Sequence, residues 1–275
     1  MLFSLSCRVA EGFLSKEEAT LSLPELAALA AGAGYGAICM RASQIGVHSP
    51  PETVAAARET LDASGLGVTM ISGDFDIVHN NDRGPACLRD IEPHLDLAEA
   101  LGAPLIRVAL KSGADIAAAR EAADRAAGRG LRLVHQCHLQ SPFETIEGIL
   151  DTLERIGRPE NFGLIYEAAN LEQCGQDHGR ETVARLAPWI WNVYLQNQRL
   201  AADGAIGLVS RHAGPVRFDL LEIPETGGID FPEIFAGLRE IGYEGPVTVH
   251  QSAPADPSLT SAESAARTAA YLRGL

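Results

Sequence analysis

Short apolar runs recur along the chain, and each is followed by a longer stretch whose apolar residues fall three to four positions apart. The runs occupy residues 2–6, 35–41, 67–72 and 104–110 in the first half, and 131–138, 162–168, 190–196 and 246–252 in the second. Runs of this length, bounded by turn residues, predict buried strands, and the longer period between them predicts helices. Boundary residues agree. Ser22-Leu-Pro-Glu25 offers a serine cap with proline in the first turn. Asp230 is placed to cap a helix whose Phe231, Ile234, Phe235, Leu238 and Ile241 form one apolar stripe.

Two segments, 33–40 and 241–248, echo one another: each leaves a helix through glycine and enters a strand at once. Eight strands alternating with eight helices, with no linker between them, predict one α/β domain over residues 1–275, a closed (β/α)8 TIM barrel. A doubly wound sheet is disfavoured because no GxGxxG follows an early strand, and no nucleotide cofactor is expected. The longest interruption is a Gly-rich insertion at about 199–229, after the seventh strand. It falls on the face where barrel strands end, so it is expected to cover the site.

Composition adds exclusions. The chain has 22 Lys+Arg against 36 Asp+Glu, a formal net charge of −14. With its basic residues scattered singly, it lacks the cationic clusters that nucleic-acid binding needs. No window approaches the ~20 apolar residues of a membrane span. The N-terminus has no basic lead and no cleavage pattern, so no signal peptide is expected. Five cysteines at irregular spacing, without a CxxC pair, fit free thiols in a cytoplasmic protein.

In a barrel, polar residues at the C-terminal ends of strands face the catalytic mouth. Arg41 and Ser43 end the second strand, while Arg107 and Lys111 lie in and after the fourth. The fifth ends His135-Gln136-Cys137-His138, the sixth Glu167-Ala-Ala-Asn170, and the eighth His250-Gln251, while Asn192, Tyr194 and Gln196 alternate along the seventh. Alternation puts Gln136 and His138 on one face, and His135 and Cys137 on the other.

Here the chain resembles the sugar phosphate isomerase/epimerase superfamily, the xylose-isomerase-like barrels that include tagatose epimerases, hydroxypyruvate isomerase and keto-inositol dehydratase. The clearest stretches are Gly34-Tyr-Gly-Ala-Ile, and Gly227-Gly-Ile-Asp-Phe-Pro-Glu-Ile-Phe running on to Gly242-Tyr-Glu-Gly-Pro-Val. In that family four side chains ending strands five to eight bind a divalent metal, usually Glu, Asp, His or Gln, and Glu. Those positions fall here on Gln136, Glu167, Tyr194 and His250, so all four depart from the pattern. One carboxylate, an amide, a phenol and an imidazole make a poor cage for a hard cation.

Three readings follow. A metal such as zinc or manganese binds at Glu167, His250 and Gln136, with His138 nearby; or Glu167 with His250 or His138 performs acid/base chemistry directly; or the pocket only binds sugars. Glu167, His250 and His138 are the expected catalytic residues. Gln136, Asn170, Arg41, Arg107, Tyr194, Arg199 and Gln251 are the expected substrate contacts. Arginines suit carboxylate or phosphate groups, although each equally suits a structural acid. The resemblance implies an isomerase or epimerase acting on a small polyhydroxylated keto compound by deprotonation next to the carbonyl. The alternatives are a lyase, dehydrating or decarboxylating a keto sugar acid or cyclitol, and a non-catalytic sugar-binding barrel. The expected partners are the carbohydrate and, through the exposed insertion, a second copy of the chain. The polar segment Asp74–Asp82 reads as a solvated loop, His178 and His212 as surface residues, and Trp189 and Trp191 as packing residues, one of them available as a stacking wall.

Overall fold

The computed structural model describes residues 1–12, 15–252 and 254–275. The chain forms strands β1 (Leu2–Ser6), β2 (Ala37–Arg41), β3 (Gly67–Ser72), β4 (Leu105–Val108), β5 (Arg132–Gln136), β6 (Phe162–Tyr166) and β7 (Ile190–Leu195). After them come β8 (Gln198–Leu200), β9 (Ile206–Ser210), β10 (Gly214–Leu220) and β11 (Pro246–Val249). Strands β1–β7 and β11 are parallel and close into a barrel, sealed where β1 pairs with β2 on one side and β11 on the other. Leu5 lies opposite Ile38 and Val249 across those two seams. All eight barrel strands coincide with the apolar runs, trimmed by a few residues at their ends.

The helices between them form because their apolar positions share a face. In Ile146–Ile156, capped by the Thr145 side chain, Ile149, Leu153 and Ile156 are buried on the barrel side. Asp230 caps Phe231–Glu240 as its sequence suggests, accepting from the Glu233 amide at 3.1 Å. The two echoing segments are the same joint: Gly34 (φ 87°) and Gly242 (φ 67°) turn the chain left-handed out of a helix, where a side chain would be strained.

Inside the barrel, alternate residues of each strand stack in layers. Cys39, Met70, Leu105, Val134, Ile165 and Tyr194 pack together as an apolar layer. Two residues further along several strands come Arg41, Arg107, Gln136 and Glu167, so the same alternation that fills the interior delivers these polar side chains to the mouth.

The insertion at 199–229 is not simply a loop. β8, β10 and β9 pair antiparallel in a small sheet, with Gly214 opposite Ser210 across the hairpin turn. The Gly-rich composition hid the strands, although Ile206, Leu208 and Val216, Phe218, Leu220 alternate as strand residues do. Gly204 lies so close to the Phe218 backbone that a Cβ there would clash. All five cysteines are buried free thiols, and among the described residues no helix is long and apolar enough to cross a membrane.

Candidate active site

The C-terminal ends of the barrel strands enclose a cavity of about 480 Å³, within the range of small-molecule sites. Arg41, Arg107, Gln136, His138, Glu167, Asn170 and His250 all line it, as do Arg8, Lys16, Asn80, Gln173 and Gln196. The β9 strand closes one side through Leu208 and Val209, so the insertion covers the site as its position suggests.

Glu167 follows β6 directly and is 2% exposed. Its Oε2 accepts from the Gln136 amide and from Asn170 Nδ2 at 3.0 Å. Asn170 is itself fixed by donating to the Cys137 carbonyl at 2.7 Å. Burial pushes the Glu167 carboxyl up to about 7, against the opposing pull of the Gln136 hydrogen bond and of Arg107. A carboxyl at that value exchanges protons readily near neutral pH.

The two histidines are held neutral. Burial, followed by the neighbouring arginines, keeps His250 and His138 well below the usual imidazole range. The His250 ring stacks on Tyr194 at 3.8 Å and 13°, and its Nδ1 lies 3.0 Å from Ser6 Oγ. Asn80 Nδ2 approaches both His138 Nδ1 (2.8 Å) and the Leu139 carbonyl (3.0 Å). His138 Nδ1 also lies 3.0 Å from the Leu139 carbonyl, so it faces a donor and an acceptor at once and serves either tautomer of the ring. Among the described residues, Asn80 and Gln140 are the two non-glycine residues with positive φ, and both lie at this mouth. Such strain gathers at functional sites.

Arg41 is engaged differently from its sequence expectation. Its guanidinium grips Glu11, fully buried, through two hydrogen bonds of 2.9 Å, and Arg8 and Ser43 contact the same carboxylate. Arg41 therefore shapes the wall, and its fork is not free for a substrate. The structure does not bring Tyr194, Arg199 or Gln251 to the cavity. Tyr194 lies beneath it in the apolar layer, its hydroxyl 3.3 Å from Cys39 Sγ. Arg199 is exposed on the β8–β10 sheet, 3.6 Å from Asp219. Gln251 supports the backbone by bonding the Asn197 amide and the Leu221 carbonyl.

Elsewhere the polar segment after β3 is less solvated than its sequence suggests. Asp74 caps Phe75–Val78 and meets His94 Nε2 at 2.9 Å, while His79 and Asn80 reach the cavity. His212 is exposed and His178 half-buried. Trp191 sits at the opposite end of the barrel beneath Arg132 and offers no wall to this cavity. Arg8, Lys16 and Glu11 escaped sequence reasoning, although Ser4, Ser6 and Arg8 continue one alternating polar face off the end of β1.

A family model described as "Xylose isomerase-like TIM barrel" matches residues 27–274. The chain belongs to this family. It is 28% identical over 152 residues to an inosose dehydratase of Geobacillus thermodenitrificans, covering 54% of this chain and 50% of that protein. It is 32% identical over 134 residues to the inosose dehydratase of Geobacillus kaustophilus, covering 47% and 41% respectively. The match thus spans half or less of these curated relatives. Among solved structures, the probable 3-DHS dehydratase AsbF of Bacillus anthracis superposes with a TM-score of 0.73 at 17% identity, covering 99% of both chains. D-allulose 3-epimerase from Methylomonas sp. does so at 0.69 and 18%, covering 100% of this chain and 97% of that one. At these identities the superpositions show the shared barrel.

The metal implied by the family resemblance does not fit the donors present. Of the four strand-end positions, Gln136 is an amide, Tyr194 is below the floor, and Glu167 is already bonded by two amides. Four cationic side chains, Arg8, Lys16, Arg41 and Arg107, face the same cavity and repel a divalent ion. Among the described residues, no group of three or more His, Cys, Asp or Glu is arranged to hold a metal.

Proposed function

We propose that this chain is an acid/base isomerase or epimerase that removes a proton next to the carbonyl of a small polyhydroxylated compound. The observation that carries the reading is Glu167: a single buried carboxyl, aimed into the cavity by Gln136 and Asn170 and raised to about 7. In its ionised form it takes the proton, and the two amides hold the carboxylate in place as it does so. In the tautomer that carries its proton on Nε2, the neutral His138 ring offers that N–H to the carbonyl oxygen and stabilises the charge that develops there. Return of the proton to the neighbouring carbon or to the other face completes isomerisation or epimerisation.

A dehydratase is the second reading. It is favoured by the two inosose dehydratases that share sequence with this chain. The same enolate ejects a β-hydroxyl when an acid stands beside it, and Lys16, which burial and Arg8 bring down to about 7, is available as that acid.

Incubating the protein with a panel of keto sugars and inososes in D2O tests the proposal. Deuterium should enter carbon next to the carbonyl, and Glu167→Gln should stop it. Exchange with retained oxygen count means isomerisation, and loss of water means dehydration. No exchange across the panel would leave a non-catalytic sugar-binding barrel.

A further inference from the structure

The cavity contains two basic side chains that make no hydrogen bond or ion pair with a described residue, although Glu167 acts on both through space. Arg107 projects from β4 and is 4% exposed, yet its guanidinium makes no hydrogen bond or ion pair with any described residue. The half-buried Lys16 ammonium likewise has no such partner. Arg41, by contrast, is tied to Glu11. Four positive side chains meet two negative ones, Glu11 and Glu167, which inverts the sign of a chain carrying −14 overall. A buried guanidinium without a hydrogen-bonded partner costs stability, and the through-space attraction of Glu167 offsets only part of that cost.

Arg107 stands on β4, with β5 between it and β6, which delivers Glu167. Both side chains nevertheless line the same cavity of about 480 Å³, which a short polyhydroxylated chain fits. The planar fork of arginine suits two oxygens of one anionic group. We infer that Arg107, with Lys16 facing the same cavity, captures an anionic oxygen group, a carboxylate or a phosphoryl group, at the end of the substrate remote from its reacting carbonyl. The placing of the reacting carbonyl rests on the acid/base reading of Glu167, whereas capture of the anion needs no turnover.

Calorimetric titration with gluconate, inorganic phosphate and neutral sorbitol tests the inference. One of the two anions should bind and sorbitol should not. Arg107→Met should weaken the anion at least about tenfold, as expected for losing a charged hydrogen-bonded pair. The same variant should keep or raise the unfolding temperature, because it removes an unpaired buried charge; should it fail to fold, Arg107→Lys replaces it in the titration. Tighter binding of gluconate assigns a carboxylate, and tighter binding of phosphate assigns a phosphoryl group. Anion binding is read by calorimetry and proton abstraction by deuterium exchange, so failure of the acid/base reading and failure of anion capture are read separately. Absence of binding by both anions overturns the inference. So does equal affinity in the Arg107 variant, or an unfolding temperature lowered as far as by a core truncation.

Discussion

Glu11 and Arg41 form a two-point ion pair beneath the cavity wall, Nε to Oε1 and Nη2 to Oε2, both at 2.9 Å, with neither side chain more than 1% exposed. Arg8 and Ser43 complete the carboxylate's bonding. Removing the acid takes the buried Arg41 guanidinium's ion-pair partner away, and breaking such a pair costs roughly 3–5 kcal/mol. Glu11→Ala should therefore lower the unfolding free energy by about that amount in urea titrations. A loss below about 1 kcal/mol would mean that the pair contributes little.

Glu167 sets a pH signature of the opposite sign. Its carboxyl rises from 4.5 unfolded to about 7 folded, so the native state binds more protons within that window. Its contribution is present in full below 4.5 and is lost as pH rises through about 7, roughly 3 kcal/mol in all. The buried neutral histidines, His138 and His250, act the other way, since their folded values are depressed and stability falls as pH drops through 6.5. Glu167→Gln should gain stability on the unaltered protein steadily between pH 4.5 and 7. Parallel curves for the two proteins would refute the raised carboxyl.

The same carboxyl governs the rate. With Glu167 as base, kcat/KM should climb with pH and level off above about 7, and Glu167→Gln should cost about 10²–10⁴-fold. A profile flat from pH 5 to 8 would remove Glu167 from the proton transfer.

Dialysis against EDTA should leave turnover unchanged, because a cavity with four cations and one ligating carboxylate disfavours a divalent ion. Activity lost on chelation and restored by zinc or manganese would reinstate the metal reading.

Glu144 fastens the β9–β10 hairpin over the cavity. Its carboxylate accepts from the amides of Gln140, Arg211 and His212 and from Ser210 Oγ, at 2.6–3.1 Å. Glu144→Ala should expose 204–214 to limited proteolysis and raise KM more than it lowers kcat. Unchanged cleavage would show that the hairpin holds without it.

The barrel was legible because its signal is repeated: eight apolar runs, each checked by the helix that follows. Glu167 and His250 were legible by their places at strand ends. The rest depended on pairings that strand-end reading does not see. Arg41 and Arg107 look alike in sequence, and only the fold shows that Glu11, thirty positions away, occupies one and leaves the other unpaired. Tyr194 lies one alternation too deep, a difference of about two residues along β7. The β8–β10 sheet was masked by glycines that serve a turn and a close backbone approach.

One contact binds access to chemistry. Gln140 holds the Val209 carbonyl and the Arg211 side chain, and Ser141 Oγ donates to the His138 carbonyl at 2.6 Å. The roof is thus stitched to the short segment that carries His138. A change at Gln140 or Ser141 therefore acts on the roof and on the His138 segment together, so access to the cavity and the placing of that ring are not independent of one another.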